Sequence, residues 1–232
     1  MIDVKNFDLS KKVEKLDRFL LTKGLRTAPT MRVGLAADIS GSMSSIIRNG
    51  DLQKAFSQLM APAVKFDDNG ELDVFKFDDR CEYVGTATPE NFDDYVERKG
   101  IRARGGTSYA PIITETLKFF FGAGEAPKKG LLGMFSKSAA PTTDNSPVLV
   151  LIVTDGECGD RAQTERALVE AQKYNIYFHF VAVGGASFGT IKYLADKLPN
   201  VGDVYLRDFG LSDDEVYEQL ISDELVGWIK TK

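Results

Sequence analysis

The sequence predicts an α/β fold with a mainly parallel sheet covered by helices on both faces. Met31–Ala37 and Val148–Val153 are almost continuously apolar, as strands buried on both faces must be. Strand-like runs alternate with amphipathic helical segments along most of the chain, the pattern of a parallel sheet with crossover helices. A hairpin signal, Asp78-Asp79-Arg80, follows the alternating run Leu72–Phe77 and predicts that Cys81–Val84 returns as its partner.

Taken in order, Leu9–Lys23 is expected to be helical, capped by Ser10 and ended by Gly24, with Val13, Leu16, Phe19 and Leu20 on one side. Met31–Ala37 is the first strand. Asp51–Lys65 presents Leu52, Phe56, Leu59 and Met60 to the core as a helix, and Asp68-Asn69-Gly70 turns the chain into the hairpin. Phe92–Arg98 and Ala110–Phe121 read as helices, the second with the stripe Ile112, Ile113, Leu117 and Phe120. After Val148–Val153 come a helix over Arg161–Tyr174, a strand over Ile176–Val183, a helix over Ile191–Leu198 and a short strand over Val204–Leu206. One final helix, capped by Ser212 or Asp213, is expected to reach toward Lys230. The whole chain, 1–232, is expected to be one domain, and Gly122–Pro147, rich in Gly, Pro, Ser, Thr and Lys, a long loop inserted in it.

Composition narrows the function. The 232 residues are 43% hydrophobic and 27% charged, with a formal net charge of −5 and no basic stripe. Nucleic acid is therefore not an expected partner. The two cysteines, Cys81 and Cys158, form no CxxC pair and no disulfide scaffold. No secretory signal opens the chain and its longest apolar run is too short to span a bilayer, so a cytoplasmic location is expected. Membrane contact is expected only if the patch Leu131–Phe135, set between basic residues of the long loop, supplies it.

Chemistry concentrates at strand ends. Asp38-Ile39-Ser40-Gly41-Ser42 follows the first strand, Gly105-Gly106-Thr107 precedes a helix, and Thr154-Asp155-Gly156 follows the most apolar strand. Ligands of open parallel sheets bind beyond the carboxyl ends of strands, and oxygen-only side chains suit a hard cation. Ser40, Ser42 and Thr107 offer neutral hydroxyls; Asp38 and Asp155 offer charge. A divalent ion held mainly by hydroxyls stays under-neutralised, so a Glu or Asp from a protein partner could complete its shell. The glycines are expected to permit the turns these motifs need.

These three motifs, in this order on an alternating α/β pattern, resemble the metal-ion-dependent adhesion site of von Willebrand factor A (vWA) domains. Leu20-Leu21-Thr22-Lys23-Gly24-Leu25 and Arg104–Pro111 are similar to the bacterial branch of tellurium-resistance and stress-response (Ter, TerF-like) clusters and, more distantly, to copines. The resemblance implies a Rossmann-like, doubly wound sheet with one antiparallel edge strand and Mg²⁺ at its top, with Mn²⁺ or Ca²⁺ as alternatives. By that carry-over Ser40, Ser42 and Thr107 are direct ligands, and Asp38 and Asp155 are direct or water-mediated ones. The implied activity is protein binding rather than catalysis. A Mg²⁺-dependent phosphatase or nucleotide hydrolase is the alternative. It lacks a P-loop, and only Arg102 and Arg104 accompany the motifs as cations for phosphate.

The remaining polar residues have plainer expectations. His179, the single histidine, is expected to be packed and hydrogen-bonded within a strand, and both cysteines to be buried thiols. Trp228 should anchor the last helix. Asp67-Asp68 and Asp78-Asp79 should be solvated turn residues, and Glu157 and Asp160 either solvated or tuning the field of the metal site.

Overall fold

Six strands form one sheet among the residues described in the computed structural model, which are 4–123, 145–184, 188–206 and 210–232. They are β1 (Arg32–Asp38), β2 (Leu72–Phe77), β3 (Cys81–Ala87), β4 (Val148–Thr154), β5 (Ile176–Val183) and β6 (Val201–Leu206). Their order is β3-β2-β1-β4-β5-β6, parallel throughout except for β3, which runs antiparallel to β2 at one edge. The period of two along each strand sorts side chains onto two cores. Leu149, Leu151 and Val153 of β4 face one core and Val148, Val150 and Ile152 the other. The first core is closed by α1 (Val4–Thr22), α3 (Asp51–Phe66), α4 (Tyr95–Arg98), α8 (Asp213–Leu220) and α9 (Asp223–Ile229). The second is closed by α5 (Ala110–Phe121), α6 (Arg161–Ala171) and α7 (Gly189–Lys197).

The chain leaves β1 for β2 on one side and returns to β4 on the other. The crevice between β1 and β4 is therefore the topological switch point, where open α/β sheets bind ligands. Just past β1, a 3-10 turn (Gly41–Met43) and a short helix α2 (Ser44–Arg48), which sequence periodicity is too short to reveal, carry the chain out of the crevice.

Several boundaries differ from expectation. Helix α1 starts before Leu9, so Ser10 lies inside it rather than at its start. Strands β3 and β6 are longer than predicted and α4 is shorter. The expected single final helix is two. Ile221 leaves helical geometry at φ −85°, ψ 64°, and the Ser222 hydroxyl accepts the Leu225 N–H, restarting the chain as α9. Residues 124–144, which hold most of the expected 122–147 loop and all of its Leu131–Phe135 patch, lie outside the described residues. No helix among the described residues is long and apolar enough to cross a membrane.

Candidate metal centre

Parallel register places the site. Ala37 pairs with Val153, so the next residue of each strand, Asp38 and Thr154, end side by side. The Thr154 hydroxyl donates to Asp38 Oδ2 at 2.6 Å, and Tyr109 OH lies 3.1 Å from the same hydroxyl. Asp38 Oδ1 accepts the Ser40 N–H at 2.7 Å, which curls the backbone after the strand. Asp38 is fully buried (0% exposed) and has no cationic partner in these bonds. Burial raises its carboxyl above the ordinary carboxylate range, and the nearby Asp155 charge adds to this, against the hydrogen bonds from Thr154 and Ser40.

The curl aligns the next two hydroxyls. Ser40 Oγ lies 3.0 Å from Ser42 Oγ, and Ser42 Oγ donates to Asp155 Oδ1 at 2.8 Å. Asp38, Ser40, Ser42 and Asp155 thus form a continuous hydrogen-bonded chain across two loops. Asp155 is half-buried, and its carboxyl too is raised, chiefly by desolvation. Gly41 and Gly156, expected to permit the turns here, have neither a positive φ nor a tight contact around a notional Cβ; the Asp38–Ser40 bond curls the chain after β1.

Thr107 comes to the crevice through its backbone. Gly105 O accepts the Gly41 N–H at 3.1 Å, Ile39 O accepts the Arg104 N–H at 2.6 Å, and Thr107 O accepts the Gly159 N–H at 2.9 Å. All three loops are therefore stitched together, with the Thr107 hydroxyl outside the side-chain network described above.

Asp78 is not the solvated turn residue expected, while Asp79 is exposed in the turn as expected but hydrogen-bonded. Asp78 is 6% exposed. Its carboxylate accepts from Arg104 Nε at 2.8 Å and from the Arg80 N–H at 2.9 Å, while its carbonyl accepts the Ser108 N–H. Asp79 Oδ2 accepts the Gly106 N–H at 2.9 Å. The two aspartates clamp the segment that carries Thr107. Their tightness explains its glycines: Gly105 has φ +69° and a Cβ there would meet Asp78 Cβ at 3.0 Å, and a Cβ on Gly106 would meet Asp79 Oδ1 at 2.8 Å. The available signal was position: Asp78 directly follows β2, at the same carboxyl edge as Asp38.

The other acidic neighbours are occupied. Asp160 accepts the Tyr109 and Ala110 N–H groups at 3.0 and 2.9 Å, capping the start of α5. Glu157 accepts the Thr190 N–H near the start of α7. Cys81 and Cys158 are half-buried free thiols rather than fully buried ones; desolvation pushes them up to about 12 and about 11, away from reactive thiolate. His179 is buried as expected, yet neither ring nitrogen completes a hydrogen bond. Trp228 packs its ring 5.3 Å from Tyr177.

The donor set fits a hard divalent cation. Two carboxylates, both raised, share a hydroxyl-bridged crevice without a Lys or Arg among the bonds that bind it together. A cation would relieve that unfavourable charge. Among the described residues no group of three or more His, Cys, Asp or Glu side chains is arranged to hold a metal; here the oxygen would come chiefly from hydroxyls, as suits Mg²⁺ better than a softer ion.

Comparison with known proteins agrees with this architecture. The uncharacterized protein YcbR of Bacillus subtilis (strain 168) is 27% identical over 229 residues, covering 96% of this chain and 86% of the relative. A von Willebrand factor type A structure from Catenulispora acidiphila superposes with a TM-score of 0.57 at 17% identity, covering 85% of this chain and 42% of its own. Proximal thread matrix protein 1 of the mussel byssus reaches 0.62 at 14% identity over 84% of this chain and 48% of that one. A second structure of that mussel protein has a zinc-occupied MIDAS motif (TM-score 0.56, 15% identity, 85% and 46% coverage). The chain spans less than half the length of each of these structures. Residues 30–232 match the family described as the vWA found in the TerF C terminus. The chain belongs to the von Willebrand factor A domains, in their TerF-like branch.

Proposed function

We propose that this domain is a divalent-metal-dependent protein-binding module, with Asp38, Ser40, Ser42, Thr107 and Asp155 holding Mg²⁺ and an Asp or Glu of a partner completing its shell. The observation that carries this is the hydrogen-bonded chain Asp38–Ser40–Ser42–Asp155 at the β1/β4 switch point. The zinc-occupied motif of the mussel neighbour supports a metal at the equivalent fold position. When bound, the ion supplies a positive, oxygen-seeking centre with room for one external carboxylate. The residues do the rest: Thr154 and the Ser40 backbone fix Asp38, Ser42 orients Asp155, and the Asp78–Arg104 pair holds the Thr107 segment. Its role is that of a cytoplasmic, non-catalytic scaffold within a bacterial stress or tellurium-resistance system, consistent with its TerF-like branch.

The test uses metal alone as probe. Ligand that binds only the folded state raises its stability by mass action, about 2.7 kcal/mol at a hundredfold excess over Kd. Saturating Mg²⁺ is expected to raise the melting temperature of the wild-type protein, and chelator to reverse it. Asp38→Asn should abolish the shift. Because Asp38 is a buried carboxylate raised by desolvation, the same substitution should leave the chelated protein as stable as wild type or more so at neutral pH. A metal-induced shift retained in Asp38→Asn would overturn the proposal. A large loss of stability in chelator would recast Asp38 as a purely structural residue.

A further inference from the structure

A cavity of about 420 Å³ opens beside the metal loops, between α2, α3 and α4. Its walls continue two of the three site segments. Ile47 and Arg48 belong to α2, which begins two residues after Ser42; Ile101 and Arg102 lead into Arg104 and Gly105, whose backbones bond Ile39 and Gly41. Ile47, Val96 and Ile101 give the cavity an apolar lining, and the last two are buried. Gln53 braces it: Nε2 donates to Phe92 O at 2.6 Å and Oε1 accepts the Val96 N–H at 2.9 Å, fixing α4 to α3. The groove is thus preformed.

Its charge is polarised. Arg48 and Arg102 are exposed on the side that joins the metal loops, and among the described residues neither has an ion-pair partner. Arg104, by contrast, is engaged by Asp78. The opposite, α4 side carries Asp93, Asp94 and Glu97, with Asp94 held by Arg98 at 3.2 Å. At the metal-loop end, two unpaired guanidinium groups next to an apolar lining favour a segment that brings a carboxylate and an apolar side chain there, because planar cations pair well with carboxylates and the lining gains by covering an apolar side chain; the acidic α4 end repels carboxylates and so fixes the segment's direction.

We propose that this groove is the selectivity subsite of the metal centre, and that it takes an extended segment of a protein partner whose acidic residues lie at the metal end. The partner's metal-seeking carboxylate would be accompanied by a large apolar side chain in the groove and a second carboxylate against Arg48 and Arg102. The proposal rests on the metal-bridge reading above. Spacing follows from the helix. Ser42 to Ile47 advances roughly 8 Å at about 1.5 Å per residue, which an extended strand covers in two or three residues at about 3.3 Å each. The apolar anchor therefore sits two or three positions from the metal-seeking Asp or Glu.

An array of immobilised nine-residue peptides with one fixed central Glu tests this. Flanking positions are varied through acidic, basic, apolar and neutral residues. The purified full chain is applied with Mg²⁺ and again with chelator. The wild-type protein should select, in Mg²⁺ only, peptides with Leu, Ile or Phe two or three positions from the Glu and a second acid nearby. Arg48→Glu/Arg102→Glu should weaken the best peptide by about tenfold or more and shift the preference for the second acid to Lys or Arg. Its Mg²⁺ affinity, measured by calorimetry without peptide, should be no weaker than wild type, because both residues are exposed and the reversed charges favour a cation. Ile47→Asp should remove the apolar preference independently. Metal-dependent binding whose selectivity is unchanged in these variants would overturn the subsite and leave the metal bridge standing. Binding indifferent to chelator, or absent from every peptide, would overturn the metal bridge and the subsite with it.

Discussion

His179 shows how a single buried residue can set a pH limit. It lies in the middle of β5, fully buried, with Tyr177 two residues away on the same face. The Tyr177 hydroxyl and both imidazole nitrogens lack completed hydrogen bonds. Gly202 of β6 leaves room for them; a Cβ there would meet Tyr177 OH at 2.3 Å and His179 Nδ1 at 2.8 Å. Desolvation lowers the imidazole to about 4, opposed by the Leu220 backbone and the Glu224 charge. The unfolded chain, near 6.5, takes up a proton that the folded chain refuses between these values. Stability is therefore complete above about pH 6.5 and falls as pH drops toward 4, by up to about 3 kcal/mol. Asp73, raised to about 6 by desolvation, acts with the opposite sign in an overlapping window, so the comparison must be with His179→Gln. Urea midpoints between pH 7.5 and 4.5 should fall more steeply in wild type than in the variant. Parallel curves would show that His179 does not hold back a proton on folding.

At the scale of elements, the junctions decide how well the loops are held. Helix α5 begins immediately after the Thr107 segment, and its first free N–H groups are met by Asp160, a residue from the loop after β4. One carboxylate thus joins a helix start to the loop that carries Asp155. Asp160→Ala should cost about 1–2 kcal/mol, the ordinary value of a lost helix cap, and should also weaken the proposed Mg²⁺ binding by loosening the Thr107 segment. Asp160→Asn keeps an acceptor and should lose less of both. Chemical denaturation and metal calorimetry on the pair check this; equal loss from both variants would make charge, not the cap, the important property. The same junctions mark the limit of what the primary structure discloses. Continuous apolar runs reveal β1, β4 and β5, because strands buried on both faces have no alternative composition, and Asp38, Ser40, Ser42 and Asp155 are legible because each sits just past such a run. The α8/α9 break was legible only as a cap pattern, Ser222-Asp223-Glu224, hidden inside a longer periodic segment. The burial of Asp78 and its grip on Arg104 depend on β2 lying beside β1, a tertiary fact with no local signature. Helix α2, at five residues, falls below any periodicity.

At the scale of the whole molecule, α1 lies outside the family match, which begins at residue 30. Helix α1 belongs to the first core: Leu9, Leu16 and Leu20 are buried alongside residues of α3 and α8. Its charged side reaches α8, where Lys15 lies 3.3 Å from Asp213 and 3.1 Å from Asp214, and Lys65 of α3 reaches back to Asp17 at 2.6 Å. Magnitudes separate the two kinds of contact. A deleted core leucine costs about 2–5 kcal/mol through lost transfer energy and the cavity left behind. A partly exposed ion pair is worth about 0–1 kcal/mol because water and salt screen it. Leu16→Ala should therefore lower the stability of the entire fold by several times more than Lys15→Ala. Added salt should change the Lys15 effect and leave the Leu16 effect intact. If α1 is one cooperative unit with the sheet, the Leu16→Ala protein should still unfold in a single transition at a lower urea midpoint. A second, earlier transition would instead make α1 an independently detachable helix laid over the vWA core.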